Sequence, residues 1–133
     1  MPVNQSYPKS RSVVRKVFAV SRTDSSTAKC VLPKGAVVTG VYVLQNVNAS
    51  TATATFSVGW SGATTALLSS FTMATTAVGY VTAGTAIGSG VFSKLTEDKI
   101  VLCSYTVGSS TAGGTGYVVI EYFVPGAGET ATD

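Results

Sequence analysis

The chain has 133 residues, 45% of them apolar and 11% charged, with 14 Gly and 4 Pro. That suffices for one domain with a closed core and leaves no room for a second. It contains no histidine, which excludes histidine triads, histidine metal sites and imidazole proton shuttles. Nine basic and six acidic side chains give a net charge of +3, well below the roughly one-quarter charged content of an ordinary soluble chain.

Serine and threonine take over the solvation. The chain holds 19 Thr and 16 Ser beside 20 Val and 15 Ala, a β-branched and small-residue vocabulary that favours pleated strands over helices. No stretch approaches the roughly 18 consecutive apolar residues that span a bilayer, so no membrane association is expected. Met1-Pro2-Val3-Asn4-Gln5-Ser6 lacks a signal peptide's hydrophobic run, and synthesis in a cytoplasm is expected.

The charge is unevenly placed. Lys9, Arg11, Arg15, Lys16 and Arg22 lie within the first 23 residues, which contain no acid, whereas the remainder holds four lysines against six acids. Residues 1–12 are read as an extended basic N-terminal arm, residues 13–125 as the β-domain and residues 126–133 as a polar C-terminal tail. A basic leader on a weakly acidic body fits docking onto an acidic partner; the plain alternative is a solvated tail.

Residues 13–20 form the first predicted strand, with Val14, Phe18 and Val20 on one face. Residues 28–32 follow, placing Ala28, Cys30 and Leu32 inward, and Pro33-Lys34-Gly35 makes a turn. The run 36–44 is apolar on both faces, Val37, Val41 and Val43 against Val38, Tyr42 and Leu44, which predicts a strand covered on both sides. The cleanest alternation comes next: Ala54, Phe56, Val58 and Trp60 against Thr53, Thr55, Ser57 and Gly59.

Residues 61–93 are harder to divide. Ala66-Leu67-Leu68 and Phe71-Thr72-Met73 fit a short strand or an irregular excursion, while Val78-Gly79-Tyr80-Val81 and Val91-Phe92 read as short strands among glycines. A turn over residues 95–99 feeds the strand 100–107, and Gly113-Gly114-Thr115-Gly116 joins it to residues 117–124 in what reads as an antiparallel hairpin. The fold class expected is all-β: a single-domain antiparallel β-sandwich or jelly roll of about eight strands with an extended N-terminal arm.

Catalysis finds little support, and the chain is not expected to be an enzyme. The adjacent carboxylates Glu97 and Asp98 belong to a turn, and Glu121 stands on the outward face of a strand. Two turn acids fall short of the six to eight oxygens calcium takes, so no metal and no cofactor is expected. The glycine runs at 84–90 and 108–114 do not continue into a phosphate-binding Gly-Lys-Ser/Thr. Nucleic-acid binding is not favoured, because the late aromatics Tyr105, Tyr117, Tyr122 and Phe123 are separated in sequence from the early basic residues. Trp60 is a core-edge residue or a sugar-stacking platform. Cys30 and Cys103 each sit in an apolar run, either as buried free thiols or as one disulfide.

Leu32-Pro33-Lys34-Gly35-Ala36-Val37-Val38, Ser57-Val58-Gly59-Trp60-Ser61-Gly62 and the final strand through Pro125 resemble small β-rich virion proteins of tailed bacteriophages. The similarity covers roughly residues 28–125 and its motifs are short. The resemblance implies a capsid decoration, or cement, protein on the outer surface of the assembled head. Its partners would be the major capsid protein and further copies of itself, with a trimer favoured. It transfers no site residues. Lys9, Arg11, Arg15, Lys16 and Arg22 are assigned to partner binding on charge alone. The alternatives are another virion component, such as a head-fibre base, tail-tube or adaptor subunit, or a carbohydrate-binding β-sandwich using Trp60.

Overall fold

A computed structural model describes residues 13–49, 54–73, 79–82, 87–106 and 114–125, with backbone alone for 79–82. The expected arm at 1–12, with Lys9 and Arg11, and the tail at 126–133 lie outside the described residues. All regular structure among those described is β: β1 Val14–Val20, β2 Thr27–Leu32, β3 Val37–Val47, β4 Thr55–Trp60, β5 Ala63–Thr72, β6 Gly79–Thr82, β7 Lys99–Thr106 and β8 Thr115–Phe123.

The strands form two antiparallel sheets. In one, β8 lies between β1 and β3, and the short β6 extends the far edge of β3; the other runs β2-β7-β4-β5. The pairing is nested, β1 with β8, β2 with β7, β3 with β6 and β4 with β5. Both sheets bury one face into a single core. Phe18, Val20, Val41, Val43, Val118 and Ile120 enter it from the first sheet, and Phe56, Val58, Leu68, Val101 and Cys103 from the second. Phe56 organises the second half, with ring centroids 5.3 Å from Phe71 and 6.0 Å from Tyr105.

The clean alternation of residues 54–60 is kept: Ala54, Phe56, Val58 and Trp60 are all buried. β3 corrects the expectation of two covered faces. A bulge between Val38 and Gly40 resets its register on β8, so Val38 points inward before it and Val41, Val43 and Gln45 after it. The odd and even apolar sets are one inward face seen on either side of an inserted residue. Tyr42 and Leu44 are then left on the outer face. A similar shift between Ala28 and Cys30 in β2 leaves Ala28 exposed rather than inward.

Residues 100–107 and 117–124 do not form a hairpin. β7 pairs with β2 and β4, and β8 with β1 and β3, so the glycine-rich segment carries the chain from one sheet to the other. Each strand buries alternate side chains in the shared core, and that pattern is the same whether two strands pair or face each other. The ambiguous residues 63–72 form a ten-residue strand, with Ser70 at φ 53° breaking its alternation. Val91 and Phe92 lie in a turn rather than a strand. Pro33-Lys34-Gly35 is a turn as expected, closed by the Ala36 N–H on Pro33 O at 3.1 Å. Gly35 takes φ +88°, the left-handed position that a type II turn assigns to glycine.

Candidate functional site

The structure distributes the described basic residues over three places. Arg15 is on the outer face of β1, where its Nε donates to Glu121 Oε2 of β8 at 2.9 Å. Lys16 takes the opposite parity and lies near Cys30 of β2, at the seam between the sheets. Burial pushes the Cys30 thiol above its usual range, and the Lys16 charge opposes that shift. Arg22 is exposed at the tip of the β1–β2 turn, roughly 20 Å from Arg15 at strand rise. Asp24 builds that turn: its N–H donates to Ser21 O at 3.0 Å and its Oδ2 accepts the Ser21 N–H at 3.0 Å. Arg15, Lys16 and Arg22 therefore do not converge on one patch.

Among the described residues β1 is an edge strand, pairing on one side with β8. Charged residues on an edge strand also discourage unwanted strand addition, which is a structural role for Arg15 and Lys16 independent of any partner.

Trp60 borders a groove of about 280 Å³ shared with Glu97, Asp98, Lys99, Ile100 and Leu102. The Lys99 ammonium stands 5.7 Å from the centre of the indole, a cation–π arrangement, and Trp60 is only 9% exposed. Lys99 Nζ also donates to Glu97 Oε2 at 2.9 Å, and that hydrogen bond holds the exposed Glu97 carboxyl below its usual range. Asp98 Oδ1 accepts the Lys34 N–H at 2.7 Å. Glu97 is thus engaged with Lys99 of its own turn and Asp98 with the turn before β3, and the indole lacks the open face a sugar ring stacks on.

Cys30 and Cys103 are free thiols. Burial is the main cause that pushes Cys103 up to about 12, so it is a core residue rather than a nucleophile. No group of three or more metal-ligating side chains occurs among the described residues.

The two outer faces differ. On the β2-β7-β4-β5 sheet, Ser57 pairs with Ser104 and Thr55 with Thr106 and Thr72, a hydroxyl-rich half, while Val31 and Ile100, paired across β2 and β7, are exposed to 51% and 57%. On the other sheet, one row reads Val17, Val119, Tyr42 and the next Ala19, Tyr117, Leu44. Val17, Leu44 and Tyr117 are exposed there, Val17 to 61%. Tyr42 lies over Gly40: a Cβ at position 40 would fall 2.6 Å from Tyr42 Oη. The charged pair in the adjoining row, Arg15 and Glu121, is closed on itself. The sequence hid part of this face because Tyr42 and Leu44 were read as a covered side of their strand.

Comparison with known proteins adds one likeness. The chain is similar to a chain of the cyanophage Pam1 capsid asymmetric unit, with a TM-score of 0.62 and 24% identity over 86% of this chain and 84% of that one. The shared feature is the fold. No protein-family model and no curated protein matches the sequence.

Proposed function

We propose that the protein is a structural component of a bacteriophage virion, and specifically a capsid decoration (cement) protein that binds the outer surface of the assembled head and stabilises it. The observation that carries this reading is the shared fold with a chain of a phage capsid unit over 86% of the sequence. The nested strand pairing supports it, being the order of a jelly roll, an architecture that recurs in viral capsid proteins. The function is adhesion without catalysis. The major capsid protein is the partner, and a trimeric assembly lets several weak contacts act together.

In this reading the basic residues act before and at contact. Lys9 and Arg11 precede β1, Arg15 and Lys16 flank its edge, and Arg22 tops the far turn. A dispersed positive field of this kind steers the protein to an acidic shell more than it forms one tight site.

The test is co-sedimentation of the purified protein with expanded heads, followed by imaging. Regular density over the whole shell supports decoration, whereas density at a single vertex assigns the protein to another virion component. Deleting residues 1–12 leaves β1 whole, so the shortened protein is expected to fold and to bind heads more weakly, with a smaller salt dependence. Unchanged binding removes the arm from the account.

A further inference from the structure

We infer that Phe92 is the anchor by which the protein docks on the shell, its ring entering an apolar recess with a carboxylate at the rim. Phe92 is 72% exposed, more than any other large hydrophobic side chain among the described residues. Val17 and Ile100, the next most exposed, lie on regular strands, whereas Phe92 stands in a turn at φ 68°, in the left-handed region. For a bulky side chain that conformation is a genuine outlier, and glycine or asparagine would hold it with less strain. Phe92 therefore costs the fold twice, in backbone strain and in apolar surface left in water, while lying outside the buried core.

The surroundings fix the ring in place. Phe92 N–H donates to Val38 O at 2.7 Å and Leu95 N–H to Ala36 O at 2.9 Å, so residues 35–38 and 92–95 run antiparallel, and Val91 and Leu95 on either side are buried. Strain held this firmly collects at binding sites. An aromatic ring on a rigid mount is the kind of residue that dominates the energy of an interface.

Charge and position choose the occupant. Lys94, two residues on, and Lys34, at the end of the same backbone pairing, are exposed and have no salt bridge among the described residues, whereas Arg15, Lys29 and Lys99 are paired. Lys99 is matched by Glu97, and Asp98 is turned onto the Lys34 N–H, so the two turns carry one cation in excess, which selects an acidic rim on the partner. A second copy offers the groove beside Trp60, but its acids are these same engaged Glu97 and Asp98, and the Lys99 ammonium stands over its indole.

Position agrees with the shell. Val14 and Val38 both lie opposite Tyr122, so residues 1–12, with Lys9 and Arg11, join the sheet at the end where Phe92 is bonded to Val38. Residues 126–133, with Glu129 and Asp133, leave from that end too, which leaves the sign of the rim to Lys34 and Lys94. The inference rests on the decoration reading for its partner and adds the residue that makes the contact.

The experiment measures binding of the purified full chain to expanded heads beside its melting temperature. Phe92→Gly and Phe92→Asn are expected to keep or raise the melting temperature and to weaken binding at least roughly tenfold. Phe92→Leu, apolar on the same backbone, should retain most of the binding, and Lys94→Glu should weaken it without moving the melt. If both Phe92→Gly and Phe92→Asn bind like the parent, the inference is wrong while decoration stands. If both melt several degrees lower or fail to fold, the ring is a structural residue and the inference is again wrong. A parent that self-associates in sedimentation velocity without heads, with the association lost in Phe92→Gly, makes a second copy the occupant and rejects the shell contact. A parent that does not bind heads rejects decoration, and the inference with it.

Discussion

Lys29 Nζ lies 2.9 Å from Asp24 Oδ1, with the two side chains only 15% and 7% exposed. Asp24 also holds the β1–β2 turn through Ser21, so its carboxylate joins the turn to the bulged strand β2, and its backbone carbonyl accepts the Tyr105 N–H of strand β7. The pair thereby fixes the seam between the sheets.

Removing one member of such a pair strands the other charge away from water. Asp24→Ala is expected to destabilise the fold by about 3–5 kcal/mol, read as a lower urea midpoint at constant slope. The double change Asp24→Asn with Lys29→Met should lose less than the sum of its parts. Strict additivity would show that the two groups do not interact.

Stability should fall in alkali. The folded Cys103 thiol is raised from 9.0 to about 12 by burial, and Tyr105 from 10.0 to about 12, again chiefly by burial. The unfolded chain releases these protons first, so the stabilisation is complete below the unfolded values and is lost as pH climbs from about 9 towards 12. Denaturation midpoints at a series of pH values check this, and Cys103→Ala should shallow the decline. A midpoint level from pH 9 to 11 contradicts it.

Native Cys103 should also resist alkylation. With no exposed surface and a raised thiol, it is expected to react with iodoacetamide only after unfolding, and more slowly than the partly exposed Cys30. Mass spectrometry of peptides after timed labelling separates the two.

Gly40→Ala should reorient Tyr42, because the new methyl meets the ring within 2.6–2.9 Å. Because the atoms met are the far end of a side chain on the outer face, the loss is expected to stay within about 1 kcal/mol, and it should shrink in a Tyr42→Ala background. Thermal melts of the four proteins in the cycle provide the coupling.

Phe56→Ala should be the most damaging of the core changes, at about 3–5 kcal/mol, since it deletes a fully buried ring that packs on both Phe71 and Tyr105. A loss under about 1 kcal/mol would mean that the site collapses around the gap.

Much of the strand content was legible because burial on one face imposes a period of two, and residues 54–60 carry that signal without interruption. β3 was misread for a definite reason. One inserted residue between Val38 and Gly40 swaps which parity faces the core, and composition holds no trace of it. The β7–β8 hairpin failed because strands facing each other across a core alternate in the same way as strands that pair. The sequence grouped Lys9, Arg11, Arg15, Lys16 and Arg22 by charge, which does not fix their spacing in the fold. A strand rises about 3.3 Å per residue and alternates its sides, so β1 and its turn carry Arg15, Lys16 and Arg22 apart.

The nested pairing has a kinetic corollary. Arg15 meets Glu121 across a sequence separation of 106, while β4 and β5 are joined by a two-residue turn. Local contacts form fast and distant ones slowly, so folding is expected to zip outward from the β4–β5 ribbon and finish when β1 closes on β8, with β1 amides last to gain protection in pulsed hydrogen exchange. Until that last step the inward Phe18 and Val20 of β1 stay in water and the β8 edge stays unpaired, so the slowest stage of folding is also the one most open to aggregation.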